Sequence, residues 1–475
     1  MSLQEAEIEL REILGQTYVL SSSTDLALYE CDAETLDLAR PDLVVLPSTT
    51  AEVAAVLKIA HKYKIPVTPR GAGTGLSGGA TTAMGGISLA LTRMTPVFTI
   101  AAAEMTAHVE VGVTNIGVSK AAHKHGLYFA PDPSSQIAST IGGNLAENAG
   151  GAHTLKYGMT TRHVLGLTMV TSDGSIITMG GPWRGSVGLD LIGSEGTLGV
   201  VTEAWLRLTP IAQSVETMMA YFPDLESGGD AVSCIIAAGI IPAAMEMIDR
   251  LSLTCVEQSL HLGLNLEAGS LLIVELDGPR AGIELQRQEV ERIVQQNGAL
   301  EIKWAKDAKE RALLWKARKS AFGALGRIAP HGYVLDGVIP RSRLKEAIQE
   351  IARIGDKYAL PISNIYHAGD GNLHPALLYH RDNETEVRSV LLAAKEILEM
   401  CVRLGGTLSG EHGIGIEKLA EMPFAFGEAE LEAMRALKRC FDPDGLCNPG
   451  KLIPAPKTCG ESGMRPLLRH RLSAC

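Results

Sequence analysis

Four side chains in the second half of the chain have the types and spacing for metal binding and proton transfer. His367 and His374 flank Asp370-Gly371, a dipeptide typical of two-residue hairpin turns. Pairing that is symmetric about this turn places the two imidazoles directly opposite each other, with Cβ atoms about 5 Å apart. Imidazoles at that distance can bind one divalent metal ion. A pair of ordinary core or surface histidines is the alternative.

A third metal ligand can come from residues 409–415, where glycines flank Glu411 and His412. In extended backbone, neighbouring side chains point to opposite sides, so Glu411 would reach the metal while His412 faces the substrate. A histidine, with an unperturbed pKa of about 6.5, can act as a general base. A glycine turn with a capping acid is the alternative. Two histidines and a glutamate leave zinc, manganese and iron possible, with zinc or manganese preferred.

A glycine-rich loop at residues 70–80 is the clearest binding feature of the first half. Residues 73–78 match the G-x-G-x-x-G pattern, but a Rossmann site needs a helix directly after the last glycine. Residues 80–86 leave no room for a useful helix before the next predicted strand at 87–91. The N–H groups of such a loop can instead form a concave phosphate site, a flexible surface loop being the alternative. The candidate ligand-binding residues are Arg70, Gly71, Ala72, Gly73, Thr74, Gly75 and Gly78.

Two more glycine-rich segments, residues 131–158 and 193–199, can add backbone donors to the same site. Three such segments suit a long cofactor that has a pyrophosphate and a ring system. The candidate residues are Pro131, Ser135, Thr140, Gly142, Gly143, Asn144, Asn148, Gly150, Gly151, Gly193, Glu195, Gly196, Gly199 and Val200.

The elements that must position these residues predict an α+β fold. The chain of 475 residues is too long for one core. A β-α-β unit opens the first domain, with strands at 43–47 and 65–68 around a helix whose Thr49 and Glu52 have capping-box spacing. After about residue 215, helices alternate with strands. The predicted parts are an N-terminal helical segment 1–37, a first domain 38–215, a second domain 216–455 and a loose tail 456–475.

Composition narrows the class of protein. The formal net charge of −11 argues against a nucleic-acid partner. None of the eight cysteines forms a C-x-x-C pair, which predicts mostly free thiols and no iron–sulfur site in this chain. The N-terminus lacks the pattern of a secretory signal, and the longest apolar stretch, residues 231–248, is interpreted as a helix followed by a strand. We therefore expect a cytoplasmic protein without a transmembrane segment.

The glycine-rich segments and the histidine motifs resemble the vanillyl-alcohol oxidase / p-cresol methylhydroxylase (PCMH) superfamily of flavoproteins. Within it, the chain is most similar to the FAD subunits of bacterial glycolate oxidases and to D-lactate and D-2-hydroxyglutarate dehydrogenases. The resemblance covers nearly the whole chain. It implies a two-subdomain PCMH-type FAD-binding domain at 38–215. It also implies an α+β substrate domain at 216–455, with an antiparallel sheet and a C-terminal segment that returns to the flavin.

The resemblance also implies where the cofactor lies. The loop at 70–80 would hold the FAD pyrophosphate, while residues 131–152 and 193–200 would line the flavin and ribityl chain. Some relatives attach FAD covalently through a histidine of the first loop. This loop has none, so we expect non-covalent FAD.

Residue roles follow from the same resemblance. His367, His374 and Glu411 match metal ligands, His412 matches the base, and Arg318 matches the arginine that binds the substrate carboxylate. From the sequence alone, a solvated basic helix face is the alternative for Arg318. The implied reaction oxidises a 2-hydroxy acid to a 2-oxo acid, with hydride transfer to the flavin N5.

Two departures from the dehydrogenase pattern bear on substrate size. Relatives that oxidise D-2-hydroxyglutarate carry a lysine at the position of Val334 and an asparagine at that of Ala376, and both help to hold a diacid. The sequence therefore favours glycolate or D-lactate as the substrate, with D-2-hydroxyglutarate or another D-2-hydroxy acid as the alternative.

Two alternative functions and one electron-transfer partner are also considered from the sequence. An NAD(P)-dependent Rossmann oxidoreductase would need the missing helix after Gly78. A flavin-binding scaffold subunit would not need the complete metal set. The resemblance to the glycolate oxidase family implies a separate iron–sulfur subunit that carries electrons onward, with a quinone, a cytochrome or another carrier as the alternative. Such partner subunits could bring the protein to the inner membrane.

Overall fold

The computed structural model describes residues 3–181 and 191–455. The tail predicted for residues 456–475 lies outside them. The described residues form the mixed helix-and-sheet fold expected from the sequence. The helices are α1 (Leu3–Leu14), α2 (Ser23–Ala27), α3 (Thr50–Tyr63), α4 (Asn115–His123), α5 (Ile141–Glu147), α6 (Thr154–Tyr157), α7 (Leu225–Ala237), α8 (Arg250–Leu260), α9 (Arg280–Gln296), α10 (Ala308–Lys319), α11 (Ala321–Ala324), α12 (Leu344–Tyr358), α13 (Glu384–Arg403), α14 (Met422–Ala425) and α15 (Glu428–Phe441). The strands are β1 (Val19–Leu20), β2 (Leu43–Val45), β3 (Val67–Arg70), β4 (Ile87–Ala90), β5 (Val97–Ala101), β6 (Thr106–Glu110), β7 (Leu127–Tyr128), β8 (Val164–Val170), β9 (Ile176–Gly180), β10 (Val200–Arg207), β11 (Thr209–Pro210), β12 (Ser214–Phe222), β13 (Ala244–Asp249), β14 (Ser270–Gly278), β15 (Glu301–Trp304), β16 (His331–Val334), β17 (Ile362–His367) and β18 (Asn372–Tyr379).

The predicted β-α-β unit is present as β2, α3 and β3. β2 and β3 both pair in parallel with β4, and β1 adds an antiparallel edge. Thr49 caps α3 by accepting a hydrogen bond from the N–H of Glu52 at 3.1 Å. The Glu52 carboxylate accepts from the N–H of Ser48 and not from that of Thr49, so half of the predicted capping box forms. The apolar face of α3 then packs in the core of the first domain.

The glycine-rich loop connects two parallel strands without a helix. Residues 71–86 between β3 and β4 contain only turns, bends and irregular backbone. This confirms the strand–loop–strand prediction, and it removes the geometric basis for a Rossmann phosphate site at this loop.

A second sheet of the first domain is antiparallel, in the order β5-β6-β10-β8-β9. It contains the predicted hairpin of β8 and β9. The sequence interpretation missed α4 and α5. Thr140 caps α5 by accepting from the N–H of Gly143 at 3.2 Å, and Asn148 ends it with a φ of 53°. The glycine-rich segment at residues 131–158 therefore contains a short helix, which the sequence analysis did not predict.

The second domain is built on a seven-stranded antiparallel sheet in the order β15-β12-β14-β13-β17-β18-β16. Helices α7, α9, α12 and α13 contribute buried side chains to its larger core cluster. The apolar stretch at residues 231–248 is a helix followed by a strand, as predicted. Among residues 3–181 and 191–455, no helix has the length and apolar character needed to cross a membrane.

The hairpin that carries the two histidines differs from the predicted one. His367 pairs with Asn372, and His374 pairs with Ile365, so direct opposition of the histidines was wrong. The turn takes residues 368–371 instead of Asp370-Gly371 alone, which moves the register by two residues. A shift of two keeps both side chains on the same face, where they become diagonal neighbours.

The C-terminal segment returns to the first domain, as the resemblance implies. Cys447 forms a parallel bridge with Val67 of β3. The side-chain amide of Asn448 donates to the carbonyl oxygens of Gly79 and Glu195, at 3.0 and 2.6 Å. The chain end thus ties the glycine-rich loop to the third glycine-rich segment. The six cysteines within the described residues are free thiols, as expected.

Candidate cofactor and metal cleft

A cleft of about 360 Å³ joins the glycine-rich segments to the histidine motifs. The predicted residues that line it are Arg70, Gly71, Ala72, Gly73, Thr74, Gly75, Ser135, Thr140, Gly142, Gly143, Asn144, Glu195, Gly196, Gly199, Val200, His374, Glu411 and His412. The predicted residues that do not line it are Gly78, Pro131, Asn148, Gly150, Gly151, Gly193, His367 and Arg318. The structure thus brings the two halves of the predicted site together around one space.

Glycines make the cofactor side of this cleft because the segments touch each other. A Cβ on Gly71 would lie 2.4 Å from Oγ1 of Thr140, and a Cβ on Gly196 would lie 2.4 Å from Cγ of Pro69. Gly196 also has a φ of 69°, which favours glycine. A backbone-lined cleft of this kind fits a long phosphate-containing cofactor, and side chains at these positions would fill it.

Predicted residues that do not border the cleft shape its walls. Gly151 has a φ of 133°, and a Cβ there would lie 2.4 Å from the carbonyl oxygen of Asp132. The carbonyl of Pro131 accepts from the side chain of Asn115 at 2.8 Å. Gly150 packs against Glu411, with 3.2 Å between an added Cβ and Oε2. These residues place neighbouring segments and do not face the cleft themselves.

Asp32 is a cleft residue that the sequence interpretation missed. It lines the cleft beside the glycine-rich loop, and its Oδ2 accepts from the N–H of Ala80 at 3.3 Å. Burial raises the pKa of Asp32 to about 6. Asp32 lies in the N-terminal segment, far from any motif, so the sequence contained no signal for it.

Glu195 links the cofactor side to the histidine segment. Its carboxylate accepts from the N–H groups of Ile414 and Gly415, both at 2.7 Å. Burial raises the pKa of Glu195, and burial together with the charge of Glu195 raises the pKa of the neighbouring Glu147 well above its usual value. The side chain predicted to contact the cofactor therefore holds the backbone that follows His412.

His367, His374 and Glu411 form a compact candidate metal centre. One ligand atom from each lies within 4.8 Å of the others. Oε1 of Glu411 lies 3.1 Å from Nε2 of His367 and 3.4 Å from Nε2 of His374. The Nε2 atom of His374 is buried without a hydrogen-bond partner in the described residues. Two imidazoles, one carboxylate and a side open to the cleft fit a divalent metal with free coordination positions.

The protonation states of His374 and Glu411 suit metal binding. Burial acts to lower the pKa of His367, but Glu246 and Glu411 outweigh it and raise that pKa well above its usual value, so His367 must release a proton when metal binds. Burial lowers the pKa of His374 well below its usual value, and the charges of His412 and His367 add to this. Burial acts to raise the pKa of Glu411, but the charge and hydrogen bond of His367, together with the charges of His374 and His412, outweigh it and lower that pKa to about 2. A neutral imidazole and an ionised carboxylate are the forms that bind metal.

His412 borders the same cleft as Glu411. Its ring stacks on that of His374, with centroids 4.9 Å apart and planes at 12°. The Nδ1 atom of His412 is buried and has no hydrogen-bond partner among the described residues. The predicted extended backbone is absent, since residues 410–412 bend. The two side chains therefore reach one cleft and do not point to opposite sides.

Asp336 causes this bend. Its Oδ2 accepts from the N–H groups of residues 410, 411 and 412 at 3.0, 2.8 and 2.7 Å. Its Oδ1 lies 2.6 Å from Nζ of Lys418, and both side chains are fully buried. Burial acts to raise the pKa of Asp336, but the charges of Lys418 and His412 and the hydrogen bonds to this carboxylate together outweigh it and lower that pKa. The buried pair thus fixes the segment that carries Glu411 and His412.

Arg318 is buried near the end of α10, so the solvated helix face was the wrong alternative. Its Nε lies 2.7 Å from Oε2 of Glu246. The other carboxylate oxygen of Glu246, Oε1, lies 2.6 Å from Nδ1 of His367. The sequence interpretation missed Glu246, although a lone glutamate inside the fully buried strand β13 was a usable signal.

The family of the chain follows from comparison with known proteins. Residues 41–180 match a family described as FAD binding domain, and residues 211–452 match one described as FAD linked oxidases, C-terminal domain. The chain belongs to the FAD-linked oxidase family. It is an enzyme, which excludes the scaffold alternative.

Curated relatives of this FAD-linked oxidase match along nearly its whole length. Glycolate oxidase subunit GlcD of Escherichia coli (strain K12) is 43% identical, over 96% of this chain and 92% of that protein. The subunit of the same name from Bacillus subtilis (strain 168) is 37% identical, over 95% and 97%. D-lactate dehydrogenase of Archaeoglobus fulgidus is 36% identical, over 86% and 91%.

Solved structures share the fold of this FAD-linked oxidase. p-Cresol methylhydroxylase with substrate bound superposes with a TM-score of 0.80 at 18% identity, over 95% of this chain and 96% of that chain. 4-Ethylphenol oxidase from Gulosibacter chungangensis, in an isoeugenol complex, gives 0.76 at 19% identity, over 96% and 98%. These likenesses confirm the PCMH-type fold.

Apolar side chains border the cleft of the FAD-linked oxidase next to the histidines. Phe322 and Val334 both line it, and the ring centroid of Phe322 lies 6.4 Å from that of His374. Val334 pairs directly with Ala376 across β16 and β18. The two positions at which the sequence departs from the diacid pattern are therefore neighbours in the fold. Phe322 had not been singled out in the sequence.

Proposed function

We propose that this FAD-linked oxidase converts a short 2-hydroxy acid, glycolate or D-lactate, to the 2-oxo acid, using non-covalent FAD and a divalent metal ion. The observation that carries the proposal is the cleft, which joins a glycine-lined cofactor side to two histidines and a glutamate. The names of the relatives, glycolate oxidase subunit and D-lactate dehydrogenase, point to the same substrates.

The two sides of the cleft would bind different groups, FAD on one side and the metal ion on the other. The loop at 70–80 and the segments at 131–152 and 193–200 would hold FAD, and His367, His374 and Glu411 would hold zinc or manganese. When bound, FAD supplies the hydride acceptor and the metal supplies a Lewis acid for the substrate oxygens. The loop lacks a histidine for covalent attachment, which supports non-covalent FAD.

His412 and Arg318 would act on the substrate itself. The unpartnered Nδ1 of His412 can accept the proton of the substrate hydroxyl as the C–H bond of the α-carbon breaks. The guanidinium of Arg318 can bind the substrate carboxylate with its remaining N–H groups. Both side chains would orient the acid, with its α-carbon toward the cofactor side.

The apolar border supports a short substrate. A diacid needs a second cation or amide near its distal carboxylate, because an unpaired buried charge is unfavourable. Val334 and Ala376 offer neither. We therefore favour glycolate and D-lactate over D-2-hydroxyglutarate.

Electrons must leave the flavin after each turnover. Two relatives are named as subunits, and no iron–sulfur cysteine motif occurs in this sequence. We propose that a separate iron–sulfur subunit accepts the electrons. The cytoplasmic location and the domain boundaries expected from the sequence stay predictions.

A substrate panel tests the proposal. The FAD-loaded protein is assayed with an artificial dye acceptor and with glycolate, D-lactate, L-lactate and D-2-hydroxyglutarate. The highest kcat/KM is expected for glycolate or D-lactate, and removal of divalent metal by a chelator should lower it. Preference for D-2-hydroxyglutarate would refute the substrate assignment, and full activity without metal would refute the metal role.

A further inference from the structure

Glu246 contacts two groups that the proposed function uses. It lies on β13 and pairs across the sheet with His367 on β17. Its side chain is 1% exposed. One oxygen lies 2.6 Å from Nδ1 of His367, and the other lies 2.7 Å from Nε of Arg318. A carboxylate sealed from water thus joins a candidate metal ligand to the candidate carboxylate-binding arginine.

We propose that Glu246 is a positioning residue that orients His367 for metal binding and Arg318 for the substrate carboxylate. The inference rests on the function proposed above and adds a residue to it. Glu246 does not line the cleft. Like His367 and Arg318, it lies behind the residues that line the cleft, and we assign its effect on metal and substrate to its contacts with these two side chains.

The contact with His367 fixes which nitrogen binds the metal. Nδ1 faces Glu246, so the opposite Nε2 faces Glu411 and the centre of the metal site. A carboxylate behind a metal-binding histidine fixes the tautomer and the ring orientation, and it makes the imidazole a stronger ligand. Loss of such a partner typically lowers metal affinity about 10–100-fold.

The contact with Arg318 fixes the guanidinium. Glu246 forms an ion pair with the guanidinium, 2.7 Å from Nε, and the two terminal nitrogens remain for a carboxylate. Because Arg318 and Glu246 are both nearly inaccessible to water, each charge needs the other to offset its desolvation. One carboxylate therefore sets the distance between the metal-binding imidazole and the arginine.

Glu246→Gln tests this role, and Glu275→Gln is the matched control. Glu275 is a buried carboxylate on the adjacent strand β14, and it accepts from Nε1 of Trp315 on α10. The FAD-loaded, metal-free proteins are titrated with Zn²⁺ or Mn²⁺, and KM and kcat are then measured at saturating metal. Glu246→Gln should weaken metal binding about 10–100-fold and raise KM, with FAD content unchanged. Glu275→Gln should keep the wild-type metal affinity and KM.

A second variant, Glu246→Asp, keeps the test possible if Glu246→Gln does not fold. Glu246→Asp keeps the charge but shortens the side chain, so it should show the same two changes to a smaller extent. Wild-type metal affinity and KM in a folded Glu246 variant, or an equal loss in Glu275→Gln, would overturn the inference. A wild-type protein that binds neither metal would overturn the proposed metal site as well, which separates the two failures.

Discussion

The two sides of the cleft differ in what forms them: main chain on the cofactor side and buried side chains on the metal side. On the cofactor side, main chains meet so closely that an added Cβ at Gly71 or Gly196 would overlap a neighbour. On the metal side, buried side chains are held by buried carboxylates, with Glu246 behind His367 and Asp336 behind the segment 410–412. The cofactor side should therefore be sensitive to added volume, and the metal side to lost charge.

The largest effect is expected on the metal side, at the proposed base. His412→Ala removes the proton acceptor, so turnover of the preferred 2-hydroxy acid should fall by about 100- to 10,000-fold. FAD content should stay unchanged, since the cofactor side is made by other segments. The dye assay measures turnover, and the visible spectrum measures bound FAD. His380→Ala, at an exposed histidine of the same domain, is the control, and wild-type turnover in His412→Ala would refute the role.

Loss of the buried charge at Asp336 should strongly lower the free energy of unfolding. Asp336→Asn leaves Lys418 without its principal counter-charge, and breaking a buried pair costs about 3–5 kcal/mol of unfolding free energy. Urea denaturation of the FAD-loaded protein measures this loss. A double variant with Lys418→Met should lose less than the sum of the single variants, because both single variants remove the same Asp336–Lys418 interaction. Strictly additive losses would contradict the pairing.

Asp32 is a buried acid on the cofactor side of the cleft, so it tests whether a buried charge also affects stability on that side. Its folded pKa of about 6 exceeds the unfolded value of about 3.9. The folded state then binds the proton more tightly, so this contribution to stability is fully present below about pH 4 and is lost as the pH rises through about 6. Unfolding free energies from pH 4 to 8 should fall in the wild type relative to Asp32→Asn, by at most about 3 kcal/mol. Parallel pH profiles would count against the raised pKa.

Added volume on the cofactor side should have the smallest of these effects. In Gly71→Ala the new methyl group would lie 2.4 Å from Oγ1 of Thr140, and overpacking of this kind costs about 1–3 kcal/mol. FAD affinity should fall roughly tenfold, as measured by titration of the FAD-free protein, while metal affinity stays unchanged. Gly282→Ala, where a Cβ would meet nothing within 4 Å, is the control. If Gly71→Ala lowered metal affinity as much as FAD affinity, the proposed difference between the two sides of the cleft would be contradicted.

The same contrast explains what the sequence could predict. The cofactor side of the cleft is made by local glycine-rich segments. The loop at 70–80, and the absence of a helix after it, could therefore be predicted from the sequence. On the metal side the ligand types were readable, but the register of the hairpin was not, because residues 368–371 form a longer turn than Asp370-Gly371 suggests. The roles of Asp32 and Asp336 could not be predicted, because their partners lie far away in the sequence and only the folded chain brings them together. Glu246 could be noticed as an acid in an apolar strand, but its pairing with His367 and Arg318 could not be predicted.

The central claim is that both sides of the cleft act on one short 2-hydroxy acid. Anaerobic mixing of the FAD-loaded protein with glycolate or D-lactate tests it most directly, since a single turnover needs no electron-accepting partner. The oxidised flavin band of the wild type should bleach with at least one of these acids, and bleaching should be much slower in His412→Ala. Flavin that stays oxidised with both acids would contradict the claim.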